Sequence, residues 1–472
     1  MIQRKIDNYL ADFYAKHKNA LLVTGARQIG KTSSIREFGR THFKHFVEIN
    51  FLESPAAKSI FEGADSSNIL LRLSAYAETK VVKGETLIFL DEIQECPDAV
   101  TAIKFLVEEG SYRYILSGSL LGVELKDIRS LPVGFLTIKE MFPLDFEEFV
   151  RAVGVQAEIL DSVRAAFENK VEVDSVIHEK MMEIFRLYMV VGGMPAAVAE
   201  YLESNNIQNI VEIQQGIIEL YKKDIAKYDP ENKLYLNEIF DLIPPELNNQ
   251  NKRFILKKLN ENIKFSRHEN SFIWLKEAGV ALPAYNVDEP KIPLLLSRSR
   301  NLFKLFLNDV GLLTCQYANG IQLKILNGEN AINFGSVYEN MTAMELKAHG
   351  FDLYYFNSKK QGELDFVIER NGRVLPIEIK SGKDYKRHNA LKNVLETTNY
   401  AIQEAVVFCN DNVCVKENVL YCPIYMLMFL KNEKNDLGTY KIDLSGLDNS
   451  TKRIARKKAP LHASRGATRD RR

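Results

Sequence analysis

Over the first 150 residues, short apolar runs alternate with segments whose apolar residues recur at helical spacing. "ALLVTG", ending at Gly25, reads as a buried strand, and "KTSSIREFGRT" as the helix after it. "HFVEINF" predicts a strand, "SNILLRLSAYAE" a helix, "ETLIFLDE" a strand, "DAVTAIKFLVEEG" a helix and "YRYILSGS" a strand. Continuous apolar strands separated by amphipathic helices predict a parallel sheet covered on both faces. "VGFLTIKEM" is a candidate for one more strand, and "PLDFEEFVRAVG" closes the section as a helix capped by Asp145 or its neighbours.

From about 151 to 330 the pattern turns helical. "VIHEKMMEIFRLYMVVGG" and "IVEIQQGIIELYKKDIAKY" carry apolar residues at helical spacing. "NEIFDLIPPELNN" is expected to break at Pro244 and Pro245, because proline removes a helix donor and clashes with the preceding turn. "RFILKKLNENI", "NSFIWLKEAGVALPAYNV" and "NLFKLFLNDVGLL" read as short helices and short strands, the pattern of a winged helix-turn-helix. Phe272 and Trp274 are expected in the core. From 331 to 432 the order is helix, strand, strand, helix, strand, and "LDFVIERNGRVLPIEIK" forms a hairpin turning at Asn371-Gly372. The expected divisions are therefore 1–150, 151–330, 331–432 and an extension 433–472.

Composition narrows the class. The 472 residues exceed one hydrophobic core, and 46% apolar with 26% charged residues is ordinary for a soluble protein. Cys96, Cys315, Cys409, Cys414 and Cys422 show no paired short spacing, which argues against a zinc knuckle or disulfide scaffold; buried free thiols are expected. The amino-terminal segment lacks the apolar core of a signal peptide, and no run of eighteen apolar residues occurs, so a cytoplasmic setting without a membrane partner is expected. Formal net charge is zero, but Lys452 to Arg472 holds nine Lys/Arg against Asp470 alone, which leaves a net of −8 elsewhere. A mildly acidic body argues against a broad nucleic-acid-coating surface. The tail is expected to be disordered, either as a basic arm for nucleic acid or as an extraneous end.

Gly25-Ala26-Arg27-Gln28-Ile29-Gly30-Lys31-Thr32 matches G-x-x-x-x-G-K-[ST] in full, between a predicted strand and a predicted helix. Glycines let backbone N–H groups turn inward around phosphate oxygens, and the helix start adds unpaired N–H groups and a positive dipole end. Lys31 is placed to reach the β- and γ-phosphates of ATP, and the Thr32 hydroxyl to ligate Mg²⁺. "LIFLDE" delivers Asp91 and Glu92 to a strand's C-terminal end, where ligands bind in open α/β sheets. Asp91 is the candidate Mg²⁺ acid, and Glu92 the candidate that orients or deprotonates the attacking water.

In "PIEIK", strand period two puts Glu378 and Lys380 on one face and Ile377 and Ile379 on the other. Asp365 begins the preceding strand. Asp365 and Glu378 are candidates to share a Mg²⁺, Lys380 to stabilise the attacking hydroxide or transition state, and Glu339 on the preceding helix to join them. This is the PD-(D/E)xK nuclease arrangement. The pattern alone leaves open an exposed hairpin face carrying the same residue types, and fold does not imply cleavage. Upstream, Lys252, Arg253, Lys257, Lys258, Lys264 and Arg267 could meet phosphates from a recognition helix or line a solvated face.

Taken together, "GARQIGKT", "LIFLDEIQ", "ILSGS", "PLDFEEF", "GGMPAAV" and "FKLFLNDVGLL" resemble a prokaryotic AAA+ ATPase family. Its members carry a C-terminal domain of unknown function that contains a winged helix and a restriction-endonuclease-like fold. The resemblance reaches to about residue 432 and leaves the tail outside it. It implies an α/β P-loop NTPase sheet of AAA+ type, a helical lid and winged-helix region, and then an α/β nuclease-like domain. ATP and Mg²⁺ are the implied cofactors, and ATP hydrolysis the implied activity. The Gly192-Gly193-Met194-Pro195 turn resembles the family's lid region. Ser117 and Ser119 end a strand where a polar side chain could sense the γ-phosphate, as the corresponding position does in AAA+ ATPases, or simply form a turn; Arg129, in "DIRSLPVG", is a candidate arginine finger acting in trans in a homo-oligomer, or a surface arginine. Two roles stand side by side: an ATP-regulated nuclease on DNA or RNA, and an ATP-dependent switch that binds protein or nucleic acid and never cleaves.

Overall fold

Residues 2–63, 65–77, 79–118, 132, 134–228, 233–249, 272, 274–318, 320–329, 334–432 and 442 are described by a computed structural model. Ser119, Arg129, the basic residues between Lys252 and Arg267, and the tail after 442 lie outside them. Met1–Asn432 form one compact unit; of Glu433–Arg472, Ile442 is described and is exposed.

The first sheet grows from the apolar runs the sequence marks. Helix α1 (Lys5–Lys16) leads into β1 (Ala20–Thr24), α2 (Lys31–His42), β2 (His45–Asn50), α3 (Ser66–Tyr76), β3 (Thr86–Asp91), α4 (Pro97–Glu109), β4 (Arg113–Ser117) and β5 (Leu136–Glu140). The five strands are parallel in the order β2-β3-β4-β1-β5. Successive residues of one strand enter opposite cores. Leu21, Val23, Leu87, Phe89 and Ile115 pack on one face, and Ala20, Leu22, Ile88, Leu90 and Leu116 on the other. Two covered faces are why these strands read as unbroken apolar runs. Asp145 caps α5 (Phe146–Ala152) in a reciprocal box with Glu148, as its position before "FEEF" predicts.

The helices α6 (Ala157–Asn169), α7 (Ser175–Val191), α8 (Pro195–Ser204), α9 (Ile207–Tyr228) and α10 (Lys233–Leu247) follow. The expected break at Pro244 and Pro245 does not occur; α10 runs through both. Leu236, Ile239, Phe240, Ile243 and Leu247 form one buried stripe across the prolines, and that packing overrides the lost donors, which fall in the helix's last turn. Phe272 and Trp274 are buried, as expected.

The strands of the region read as a winged helix, β6 (Ala281–Val287) and β7 (Arg298–Leu307), belong to a second, mixed sheet. After α11 (Val310–Thr314), α12 (Ile321–Leu326) and α13 (Gly335–Ala348), that sheet adds β8 (Tyr354–Ser358), β9 (Gly362–Arg370) and β10 (Arg373–Ile379). Helix α14 (Asn389–Glu396) precedes β11 (Ala405–Cys409), β12 (Cys414–Lys416) and β13 (Val419–Pro423). The order is β12-β13-β11-β10-β9-β8-β6-β7. Asn371 and Gly372 turn the β9–β10 hairpin with φ of 52° and 71°, both left-handed, as the pair predicts. Cys96, Cys315, Cys409 and Cys422 are buried free thiols; Cys414 departs from that expectation and is exposed, because it sits on the outer strand β12. No helix among the described residues is long and apolar enough to cross a membrane.

Three stretches far apart in sequence meet in one clamp. The Leu144 N–H donates to the Gly193 carbonyl (2.7 Å), and the Gly193 N–H donates to the Asp309 carboxylate (2.6 Å). A Cβ at Gly193 would collide with the Leu144 backbone, so only glycine permits this approach. Asp309 also accepts from Leu312 N–H (3.0 Å) as the cap of α11. Burial pushes its carboxyl up to about 6, against the pull of the backbone donors. Asp309→Ala would orphan those donors, and we expect a loss of about 3 kcal/mol of stability, measured by chemical denaturation. A folded-state value above the ordinary 3.8 means that this carboxyl's titration favours folding below 3.8 and that this contribution is lost as pH rises through about 6.

Candidate nucleotide site and the acidic cleft

Gly25 to Thr32 join β1 to α2 in a loop wound by left-handed residues: φ is 130° at Gly25, 62° at Gln28 and 93° at Gly30. A Cβ at Gly25 would run into the Met141 carbonyl. Gly30 caps α2, so Lys31 is the first helical residue and the helix's free N–H groups open beside it. Lys31 is 8% exposed, and its Nζ donates to the carbonyls of Ala26 (2.7 Å) and Gly25 (3.0 Å). Burial pulls its ammonium down to about 8, against the attraction of Glu92 and Asp91. Ala26 and Ile29 are buried, while Arg27 and Gln28 face outward to different degrees.

Asp91, at the end of β3, is 3% exposed and gathers four donors. The Thr32 hydroxyl lies 3.2 and 3.4 Å from its two oxygens, Asn50 Nδ2 donates at 3.1 Å and the Glu92 N–H at 3.1 Å; the Ser117 hydroxyl donates as well. Ser117 is fully buried at the end of β4, so its hydroxyl orients Asp91. Thr32 and Asp91 thus present adjacent hard oxygens, the donor set Mg²⁺ takes when phosphates supply the rest of its shell. Among the described residues no group of three or more His, Cys, Asp or Glu is arranged to hold a metal by itself. Glu92 has left-handed backbone (φ 54°) and its carboxylate accepts from Gln94 Nε2 at 2.5 Å.

The loop is held from outside the first sheet by residues no local motif reveals. Buried Arg4 donates to the Ile29 carbonyl (2.8 Å) and the Phe142 carbonyl (2.8 Å). Arg27 Nη1 pairs with Asp224 on α9 at 2.8 Å. Tyr221, one turn earlier on α9, donates to the Arg27 carbonyl (3.3 Å), and Asn308 at the end of β7 donates to the Tyr221 oxygen (3.4 Å). The Gly279 turn closes on Ala26: a Cβ there would stand 3.0 Å from the Ala26 nitrogen.

In the second sheet, Ile377 faces Phe366, and the same register sets Glu378 opposite Asp365. Glu378 is 3% exposed, so the pair does not lie on an open hairpin face. Burial first, and Asp365 second, push the Glu378 carboxyl up to about 8; Lys380, at 2.8 Å, pulls the other way. Asp365 accepts the Ile379 N–H at 2.8 Å. Glu339, from α13, is buried beside them. The residue missed from sequence is Lys304 on β7: it is 0% exposed and pairs with Glu363 (2.8 Å) and Glu339 (3.4 Å). Its signal was present, a lysine inside the apolar run "LFKLFL" where both neighbours are core residues.

Residues 17–150 match the model of an AAA domain. Residues 182–323 match a domain of unknown function, DUF8612, and residues 334–427 another, DUF4143. No curated protein matches the chain. Among solved structures, similar ones include the Walker-type ATPase paby2304 of Pyrococcus abyssi, at 15% identity and a TM-score of 0.41, covering 67% of this chain and 95% of that one. Another is the Aeropyrum pernix Orc1 protein in complex with DNA, at 16% identity and a TM-score of 0.28, covering 70% of this chain and 93% of that one. The wound loop before α2, the acid ending β3 and the family match agree: this chain carries an AAA-type P-loop ATPase domain.

Proposed function

We propose that the chain binds ATP with Mg²⁺, hydrolyses it, and passes the change between bound states to its C-terminal sheet, which engages nucleic acid. Thr32 and Asp91 would hold the ion, which supplies charge neutralisation at the phosphates. Lys31 and the α2 N-terminus bind the phosphate oxygens, and Glu92, held by Gln94, orients the attacking water and takes its proton. Ser117 and Asn50 keep Asp91 in place.

The observation that carries the coupling is the contact of the phosphate loop with distant elements. Arg27 is anchored to α9 through Asp224, and its carbonyl reaches β7 through Tyr221 and Asn308. A loop rearranged by phosphate shifts these partners, and β7 is part of the second sheet. Nucleic acid as the partner is supported by exposed Lys383, Lys386, Arg387 and Lys416 close to the acidic cleft in sequence and sheet, with half-buried Tyr385 under the Lys386 ammonium at 5.2 Å.

The test is the ATP hydrolysis rate with and without DNA or RNA. Nucleic acid is expected to raise the rate about 5-fold or more, the range of ordinary coupling energies. Asn308→Ala, which cuts the relay away from the phosphate loop, should keep the unstimulated rate within about 2-fold and lose most of the stimulation. A rate indifferent to both DNA and RNA would overturn the nucleic-acid partner and direct the search to proteins.

A further inference from the structure

The acids of the C-terminal cleft are met by cations from their own chain. Lys380 pairs with Glu378, and Lys304 with both Glu339 and Glu363. Lys304 also lies 5.0 Å from the centre of the Tyr355 ring, so carboxylates and an aromatic face surround an ammonium with no exposure to solvent. We propose that Lys304 is the resident cation of this cleft, standing where a divalent metal would need its room and its acids, so that the PD-(D/E)xK hairpin does not act as a metal-dependent nuclease and the cluster instead fixes β7 against α13 and β9.

Three observations carry this. Mg²⁺ is held by one or two carboxylates with water and phosphate completing its shell, and here the acids around the hairpin are already paired: Glu378 with Lys380, and Glu339 and Glu363 with Lys304. Glu339 is turned to Lys304, and among the described residues no group of three or more His, Cys, Asp or Glu is arranged to hold a metal ion. A divalent ion placed among them would stand against an ammonium that cannot withdraw into water without β7 leaving the sheet. Lys304 is also no substitute for a catalytic lysine: such a group must reach a scissile phosphate, and Lys304 is 0% exposed whereas Lys380 is 30% exposed.

The cluster has a use in the fold. β7 is the edge strand of its sheet, so its backbone pairing comes from one side alone and its buried side chains must fix its register. A slip by one residue would turn Lys304 to the opposite face and bury it without its acids, a costly alternative. Register at Lys304 sets the strand's end, and the strand's end delivers Asn308 to Tyr221 and Asp309 to Gly193.

The experiment titrates Mn²⁺ into the full-length protein without nucleotide, read by the electron paramagnetic resonance of free Mn²⁺. Wild type and Glu378→Gln should give the same isotherm, and wild type should leave DNA and RNA intact in Mn²⁺. Lys304→Met should gain a site about 100-fold tighter than any in wild type, because a like charge is removed from its edge, and Glu378→Gln in that background should abolish it. Where Lys304→Met does not fold, Lys304→Met with Glu363→Gln restores the charge balance and is held to the same expectation. A wild-type Mn²⁺ site that vanishes in Glu378→Gln, cleavage that vanishes in Asp365→Ala, or a folded Lys304→Met that gains no site each overturns the proposal.

Discussion

Lys31→Ala is expected to weaken ATP binding by about 100-fold or more, read by calorimetry with a slowly hydrolysed analogue. The ammonium is buried at the first residue of α2 and donates to two carbonyls of its own loop. Phosphate oxygens are better acceptors, and a charge-assisted hydrogen bond is worth about 1.5–3 kcal/mol. Two such bonds lost together exceed two decades of affinity. The change should leave the fold standing, since Ile35 and Phe38 anchor α2 to the core without Lys31. The same group gives the binding a pH signature. Burial holds its ammonium near 8, so the fraction able to greet phosphate falls as pH rises through that value. Wild-type affinity should therefore decline above pH 8, and Lys31→Arg should flatten that decline because guanidinium stays charged. Equal affinity of wild type and Lys31→Ala would sink the assignment of this loop.

How far the chain could be read in advance depends on how local each feature is. The phosphate loop is eight consecutive residues, and its geometry follows from glycine, a strand before and a helix after; nothing distant is needed to recognise it. Asp91 and Glu92 were legible because a fully buried strand that ends in acids must deliver them to one edge. The Asp365–Glu378 pair was legible because a two-residue turn fixes hairpin register. What was not legible is contact across sequence. Arg27 is a variable position of the loop motif, and its anchor Asp224 lies on a helix, 197 residues further along the chain, so no local pattern links the two. Asn50 belongs to a neighbouring strand that meets Asp91 only through sheet order. The helix through Pro244 and Pro245 departs from the expected break because local chemistry opposes what the buried stripe enforces. Lys304 lies in an apolar run, and its partners Glu339 and Glu363 come from α13 and β9, which no local pattern places beside it.

Glu92→Gln should lower the rate of ATP hydrolysis by about 10²- to 10⁴-fold while leaving ATP bound, so that protein passed through a desalting column retains the intact triphosphate. The substitution preserves shape and hydrogen-bond reach and removes only the capacity to accept a proton. Glu92 is held for that task. Its backbone N–H is spent on Asp91 at 3.1 Å, its backbone is left-handed with φ of 54°, and Gln94 fixes one carboxylate oxygen at 2.5 Å. The neighbouring acid provides the contrast. Asp91 is surrounded by donors from Thr32, Asn50 and Ser117, which fix its position beside the Thr32 hydroxyl, an arrangement suited to holding an ion. Asp91→Asn should therefore fail differently, by losing the dependence of nucleotide binding on Mg²⁺. If Glu92→Gln turned over at the wild-type rate while Asp91→Asn alone abolished hydrolysis, the proton would have to leave by another route, and the division of labour between the two acids at the end of β3 would be the reverse of the one their contacts describe.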